Sequence, residues 1–382
     1  MVWKNVQGLR GIAALLVVFA HVHDFSDRVA YQPLFRMFAP LGACGVDLFF
    51  VISGFIMMTV HWHDFNALDS SRRFLLRRWL RVLPPYWVVT LMLALVFAVV
   101  APSLRHHWSG AHANLLLSLL LVPQPDTASI HDIVPPLLFV GWTLIYEMYF
   151  YYAFAGALRM SRGAALRCFA LWGVAVLAFQ FVPLTLVNPY MAFFGRNLII
   201  EFLFGIGVGY LVMNGRYYAP SAFIGLGFVT LVAADVALMA AFHGAWGDYD
   251  GLRFLMWGLP MASILYAAIS FEKRGILLPT SLQITGNASY SIYLWHAPLF
   301  VAIGKALLPL SHRAHLPALP LAIAIPVVVV GVALQLYRYI EVPVTAFSRT
   351  FATKTFPSLM KARNSMAKPV PGSSTATAYS GT

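Results

Sequence analysis

Charge is scarce in this chain, and acidic charge scarcest: 382 residues hold 14 Asp and Glu against 26 Lys and Arg, with 10% charged and 60% hydrophobic. That shortage excludes an ordinary soluble surface, because globular domains carry about a quarter of their residues charged. Cysteine is almost absent. Cys44 and Cys168 are expected near opposite faces of a membrane, far beyond the roughly 7 Å between α-carbons that a disulfide tolerates. No glycine-rich nucleotide loop occurs. His21 with His23, and His61 with His63, lack a third convergent ligand, so no metal site and no bound cofactor are expected.

What the chain has in abundance is long apolar runs. A hydrocarbon core takes about 20 apolar residues to cross, and ten such runs lie near 8–24, 41–60, 82–101, 137–158, 164–182, 197–213, 220–242, 252–270, 286–308 and 318–341. The expected fold is an all-α polytopic membrane protein with about ten transmembrane helices. The stretch from Ala113 to Val122 is too short to cross and reads as re-entrant or interfacial. The first run is short and follows Lys4 and Arg10, as a signal peptide would, but no small-residue cleavage site follows it. It is read as the first helix.

Loop charges set the expected orientation. With the N-terminus inside, 17 of the 26 Lys and Arg fall in cytoplasmic segments and 6 outside, so both termini are placed in the cytoplasm. The net charge of +12 then reflects topology and anionic lipid, with no call for nucleic acid. The membrane domain is expected to cover residues 1–345. Residues 346–382, ending in "KPVPGSSTATAYSGT", read as a flexible basic cytoplasmic tail, and no soluble domain is expected at either end.

Several polar residues interrupt the apolar runs. In "RGIAALLVVFAH", Arg10 and His21 are eleven residues apart, which puts them on one helical face about 16 Å apart. Arg10 then sits near the cytoplasmic boundary and His21 near mid-membrane. Glu147 in the fourth run and His296 in the ninth are expected at a similar depth. Ionisable residues within a membrane are costly and face a bundle interior or a watery cavity, so these positions read as a site. Structural pairing is the plain alternative: Glu147 with Arg10, and His296 as a packing corner beside Pro298. Asp24 lies three residues beyond His21, where it orients the imidazole or sits exposed at the helix end.

The run "SSRRFLLRRWLRVLPPYW" carries Arg72, Arg73, Arg77, Arg78 and Arg81. Guanidinium groups at this spacing suit a phosphorylated ligand, although a topogenic cluster binding lipid head groups has the same composition. Pro84 and Pro85 are expected to break this segment before the third span begins. In "DLFFVISGF", Asp47 falls in the outer half of the second span, and Ser53 with Gly54 falls in the inner half, where a Ser-Gly pair permits close helix packing or lines a cavity.

Taken in order, "RGIAALLVVFAH", "DLFFVISGF", "RRFLLRRWLRVLPPYW", "GWTLIYEMYFY" and "SYSIYLWHAPL" resemble the membrane-bound acyltransferase-3 family, and bacterial exopolysaccharide O-acetyltransferases in particular. The resemblance runs from the first helix to about residue 345. It implies transfer of an acyl group, usually acetyl, from acyl-coenzyme A as donor substrate to a sugar hydroxyl of a glycan or lipid-linked oligosaccharide. It implies that His21 is essential; a general-base role for His21 and a catalytic part for Glu147 are read from their place in the membrane. Arg10, Ser53, Gly54, Phe55, Arg78 and Arg81 match the family's motifs, and with Arg72, Arg73, Arg77, Trp142, Tyr293 and His296 they form the expected substrate-binding set. Some family members carry a fused extracytoplasmic hydrolase-like domain that this chain lacks, so one membrane domain does the whole task or shares it with separate polysaccharide-biosynthesis proteins. A bacterial inner-membrane location, with membrane lipid around it, follows from the same resemblance. A proton-coupled carrier is the competing class, since carriers also bury ionisable residues on several helices. An acyltransferase with a lipid or small glycoside acceptor is the other alternative.

Overall fold

The computed structural model describes residues 3–22, 32–100, 113–126, 133–182, 188–242, 252–313 and 318–360. His23, Asp24 and tail residues 361–382 lie outside them. Among the described residues the chain is helical almost throughout. The single sheet is a two-stranded antiparallel pair, β1 (Gln124–Pro125) with β2 (Ile133–Val134). Among the described residues six helical stretches are long and apolar enough to cross a membrane: Leu41–Val60, Ser70–Val99, Arg162–Phe179, Pro189–Met213, Phe254–Lys273 and Ile323–Thr355. These fall on six of the ten expected runs.

The other four runs are helical as well: α1 (Lys4–Ala20), α5 (Gly141–Ala157), α9 (Pro220–Phe242) and α12 (Ser289–Arg313). Between them lie α2 (Gln32–Val60), α3 (Ser70–Leu95), the five-residue α4 (Leu115–Leu119), α6 (Arg162–Phe179), α7 (Pro189–Phe194), α8 (Leu198–Met213), α10 (Leu259–Lys273) and α11 (Thr280–Asn287). The chain then runs through α13 (Ala318–Leu336) and α14 (Val342–Thr355) to α15 (Pro357–Met360). The stretch from Ala113 to Val122 holds only α4, and Tyr86 and Trp87 of α3 bind it by donating to the carbonyls of Ser118 and Leu119, each at 2.8 Å.

Two expectations change. Pro84 and Pro85 do not end a helix: α3 runs through both. Proline removes the N–H bonds to the carbonyls of Leu80 and Arg81, but neighbouring helices can supply substitute donors inside a bundle. Tyr290 of α12 ties this stretch to its neighbour, donating its hydroxyl to the Val82 carbonyl at 2.8 Å. The arginine run is therefore the first part of a long apolar helix. The chain past residue 345 also differs, because α14 is helical to Thr355 and packs against α3. A flexible tail does not begin at 346.

Position of α1 matters most for the site. Its first N–H groups have no intrahelical acceptor, and the Glu272 carboxylate of α10 takes those of Lys4 at 2.8 Å and Asn5 at 2.7 Å. Buried Asn5 adds three bonds, donating to the carbonyls of Ala268 and Ile276 and accepting from the N–H of Leu278. Thus anchored, α1 lies along α2, α11 and α12. On its other side α2 presses against α8, where a methyl group on Gly54 would overlap the Phe202 carbonyl and one on Gly205 the Val51 carbonyl. Small residues allow this approach where lipid offers no hydrophobic drive between helices. An aromatic column of Phe50, Phe202 and Phe150, with centroids 4.6 and 4.2 Å apart, fills the adjoining core.

Candidate functional site

A cavity of about 90 Å³ lies where α1, α2, α3, α5 and α12 meet, and its polar wall holds Arg10, Arg78, Arg81, Ser53, Glu147 and Tyr151. Three guanidinium groups against one carboxylate leave it strongly cationic. Arg78 and Arg81 are three apart on α3 and so share a face. Arg78 is held over the rings of Phe74 and Tyr151, at 5.4 and 5.5 Å from their centroids. The other arginines of the run face elsewhere. Arg72 is exposed and 3.8 Å from Asp69, Arg73 donates to the Leu68 carbonyl at 2.8 Å, and Arg77 is exposed.

Glu147 is the centre of this wall. Its Oε1 accepts from Ser53 at 3.2 Å, and Tyr151, one helical turn on, also donates to it. Arg10 and Arg78 lie within electrostatic reach of its carboxylate. Its direct hydrogen-bond partners are thus two hydroxyl groups, and Arg10 shares the cavity with it. Ser289 contributes a buried hydroxyl with no hydrogen-bond partner to the same cavity.

The histidines form a separate layer. His21 caps the far end of α1, about 16 Å from Arg10 along the axis. Its Nδ1 lies 2.8 Å from the Val17 carbonyl. A carbonyl only accepts, so Nδ1 carries a proton. The ring stands 4.8 Å from that of His296 and 5.7 Å from Phe139, centroid to centroid. His296 is fully buried, donates from Nδ1 to the Tyr293 carbonyl at 2.7 Å, and has no hydrogen-bond partner at Nε2.

Tyr293 joins the two layers. It lines the arginine cavity, its hydroxyl lies 2.6 Å from that of Thr143, and its ring is 5.8 Å from His296. Of the residues singled out in the sequence, Arg10, Ser53, Arg78, Arg81, Glu147 and Tyr293 meet at the cavity. His21 and His296 meet one layer beyond. Gly54 is spent on the α8 contact, Phe55 is buried against Trp3 at 6.0 Å, and Trp142 lines a second pocket on the other side of α5.

Sequence reasoning missed four participants: Thr143, Tyr151, Tyr290 and Glu341. Tyr151 is four residues from Glu147, a spacing that signals contact on a helix. Glu341 had no such signal. It ends a π-helical turn, Tyr337–Glu341, between α13 and α14, within electrostatic reach of Arg81 and Arg10. A further missed feature is an ion pair. Asp47 is completely buried and takes both Nε and Nη2 of Arg253 at 2.9 Å each, across 206 residues of sequence.

The chain matches the acyltransferase domain of the acyltransferase-3 family over residues 3–338. It is 32% identical to the exopolysaccharide production protein ExoZ of Rhizobium meliloti (strain 1021) over 314 residues, covering 79% of this chain and 89% of that protein. It is 26% identical to the acyltransferase MdmB of Streptomyces mycarofaciens over 321 residues, covering 76% and 77% respectively. No solved structure matches it. With its apolar helices, its polar cavity and a family match across nearly its whole length, the chain belongs to the membrane-bound acyltransferase-3 family and is a multi-pass acyltransferase of the O-acetyltransferase type.

Proposed function

We propose that the protein transfers an acyl group, acetyl in the simplest case, from acyl-coenzyme A to a sugar hydroxyl of an exopolysaccharide or related glycan. The observation that carries this reading is the separation of two chemistries on α1: a three-arginine cavity around Arg10 at one end and a histidine layer at the other. Arginine binds phosphate bidentately, so the cavity suits the donor's phosphorylated head. The roughly 16 Å to His21 suits the extended arm that carries the thioester.

In this reading the acceptor hydroxyl attacks the thioester carbonyl while His21 Nε2 takes its proton. The tetrahedral intermediate collapses with cleavage of the C–S bond. The departing thiolate recovers the proton from His21, leaving an ester and free coenzyme A. Glu147 keeps Arg10 and Arg78 in place for the donor. The chain crosses the bacterial inner membrane about ten times with both termini in the cytoplasm, which puts Arg78 and Arg81 on the side where acyl-coenzyme A is found. The name of the ExoZ relative supports a polysaccharide acceptor.

Purified protein incubated with labelled acetyl-coenzyme A and de-O-acetylated exopolysaccharide oligosaccharides tests the reaction. Label on the oligosaccharide is the expected result. Label left wholly on the donor or released as acetate overturns it.

A further inference from the structure

A serine inside a helix commonly turns its hydroxyl back onto the carbonyl four residues earlier. This protein follows that habit at Ser263, Ser270 and Ser348, which donate to the carbonyls of Leu259, Tyr266 and Val344. Ser289, the first residue of α12, does not. The carbonyl four residues back, that of Thr285, accepts the Ala288 N–H at 3.1 Å. Ser289 itself is completely buried, and its hydroxyl has no hydrogen-bond partner among the described residues. A buried hydroxyl left without a partner costs stability, so its persistence here calls for a group that would satisfy it.

Its surroundings say which group. Ser289 lines the arginine cavity from the α12 side, together with Tyr290 and Tyr293, while Arg10 of α1 and Arg78 and Arg81 of α3 supply the charge. Packing fixes it there. A methyl group on Gly286 would overlap the Gln7 carbonyl and one on Gly11 the Leu282 carbonyl, so the segment leading into α12 lies directly against α1 beside Arg10. On the α3 side, the Tyr290 hydroxyl donates to the Val82 carbonyl, next to Arg81. Glu147 in the wall, and Glu341 within electrostatic reach of Arg10 and Arg81, offset part of the guanidinium charge. Three cations against these two carboxylates still leave a positive balance. The missing group is therefore an anion that accepts hydrogen bonds from several directions at once. Phosphate does this, because arginine forks engage its oxygens in pairs and a hydroxyl can donate to a further one. Neither the thioester nor the amides of a pantetheine arm carry a charge to answer the arginines. A volume of about 90 Å³ is room for a few water molecules, which suits a phosphate group and is too small for a nucleotide.

We propose that Ser289 is a binding residue for the acyl donor, its hydroxyl donating to a phosphate oxygen of acyl-coenzyme A seated in the arginine cavity. This rests on the acyl-transfer reading above and adds which part of the donor fills the cavity. The phosphate is inside and the adenosine outside.

The test uses the full-length protein in lipid nanodiscs, with labelled acetyl-coenzyme A as donor, de-O-acetylated exopolysaccharide oligosaccharides as acceptor, and pantetheine as a phosphate-free competitor. Ser289→Ala should raise KM for acetyl-coenzyme A about tenfold, with the effect on KM rather than kcat. Inhibition by pantetheine should be unchanged. Without ligand the variant should melt no lower than wild type, because it loses an unsatisfied hydroxyl, while the rise in Tm given by coenzyme A should shrink. Ser289→Thr, which keeps the hydroxyl, should recover most of the donor KM. A KM for acetyl-coenzyme A within twofold of wild type in Ser289→Ala overturns the assignment with acyl transfer intact. An equal loss of pantetheine inhibition overturns it too, since the hydroxyl would then serve the arm, and so does a lowered ligand-free Tm with no recovery in Ser289→Thr, which marks a structural role. Wild-type protein that neither labels an oligosaccharide nor gains Tm with coenzyme A overturns the acyl-transfer reading itself, and this assignment with it.

Discussion

Ser53 of α2 donates its hydroxyl to Glu147 Oε1 of α5 at 3.2 Å, across 94 residues of sequence. This bond and the second one from Tyr151 hold a carboxylate among three guanidinium groups. Glu147→Gln keeps the shape and loses the charge, which strands Arg10 and Arg78. Thermal stability should fall, and the Arg10→Gln/Glu147→Gln double variant should recover part of it, with a coupling of about 0.5–3 kcal/mol. Additive losses in the melting curves of the two single variants and the double would remove the electrostatic link.

His21→Ala should lower turnover by about a hundredfold to ten-thousandfold, the usual cost of losing a positioned base. The donor KM should be unchanged, since the arginine cavity is a layer away. Steady-state kinetics on membrane preparations with matched protein levels check both numbers. A loss of only a few-fold would give His21 a packing role instead.

His296 offers a contrasting measurement. Its Nε2 is a buried acceptor without a partner, and replacing such a group by an apolar one of similar shape is close to neutral for stability. His296→Leu should therefore melt within about 1 kcal/mol of wild type yet turn over more slowly, because it adjoins the proposed base. Wild-type turnover in a normally folded His296→Leu protein would show that the histidine layer acts through His21 alone.

The arginine run divides sharply in the structure. Arg78→Ala and Arg81→Ala should raise KM for acyl-coenzyme A, whereas Arg72→Ala, exposed at the start of α3, should not. Glu341→Gln should also raise the donor KM, since Glu341 bears on Arg81 and Arg10. Equal effects from Arg72 and Arg78 would point to a general topogenic charge in place of a binding cavity.

The Asp47–Arg253 pair makes a purely structural prediction. Asp47→Ala takes from a largely buried guanidinium the carboxylate that accepts two of its N–H groups and should destabilise the fold by about 3–5 kcal/mol. Asp47→Leu combined with Arg253→Met should restore most of that, because an apolar pair of similar volume removes both charges. A double variant no more stable than Asp47→Ala would contradict this, and thermal melts in detergent decide it.

Much of this protein was legible without coordinates because local physics dictated it. Scarce charge and repeated apolar runs require helices in lipid, where the backbone must satisfy itself. The helical repeat alone sets Arg10 and His21 on one face at a fixed separation. The five ordered motifs were enough to recognise the family. Exact breaks were less accessible: Pro84 and Pro85 lie inside α3 where the pattern placed a break.

Tertiary structure alone decided which polar groups meet. Arg73 and Arg77 have the same chemistry as Arg78 and Arg81, and only the rotation of α3 against α5 and α12 points the latter pair inward. Glu147 lies with the arginines and not with His21 because Ser53 of α2 and Tyr151 fix its carboxylate there. Glu341 and Arg253 reach their partners across most of the chain, through helix packing that no local pattern encodes. Sequence periodicity states which residues share a face of one helix. The neighbour that face meets depends on the packing of every helix in the bundle, through close approaches such as Gly54 against α8 and anchors such as Glu272 on α1.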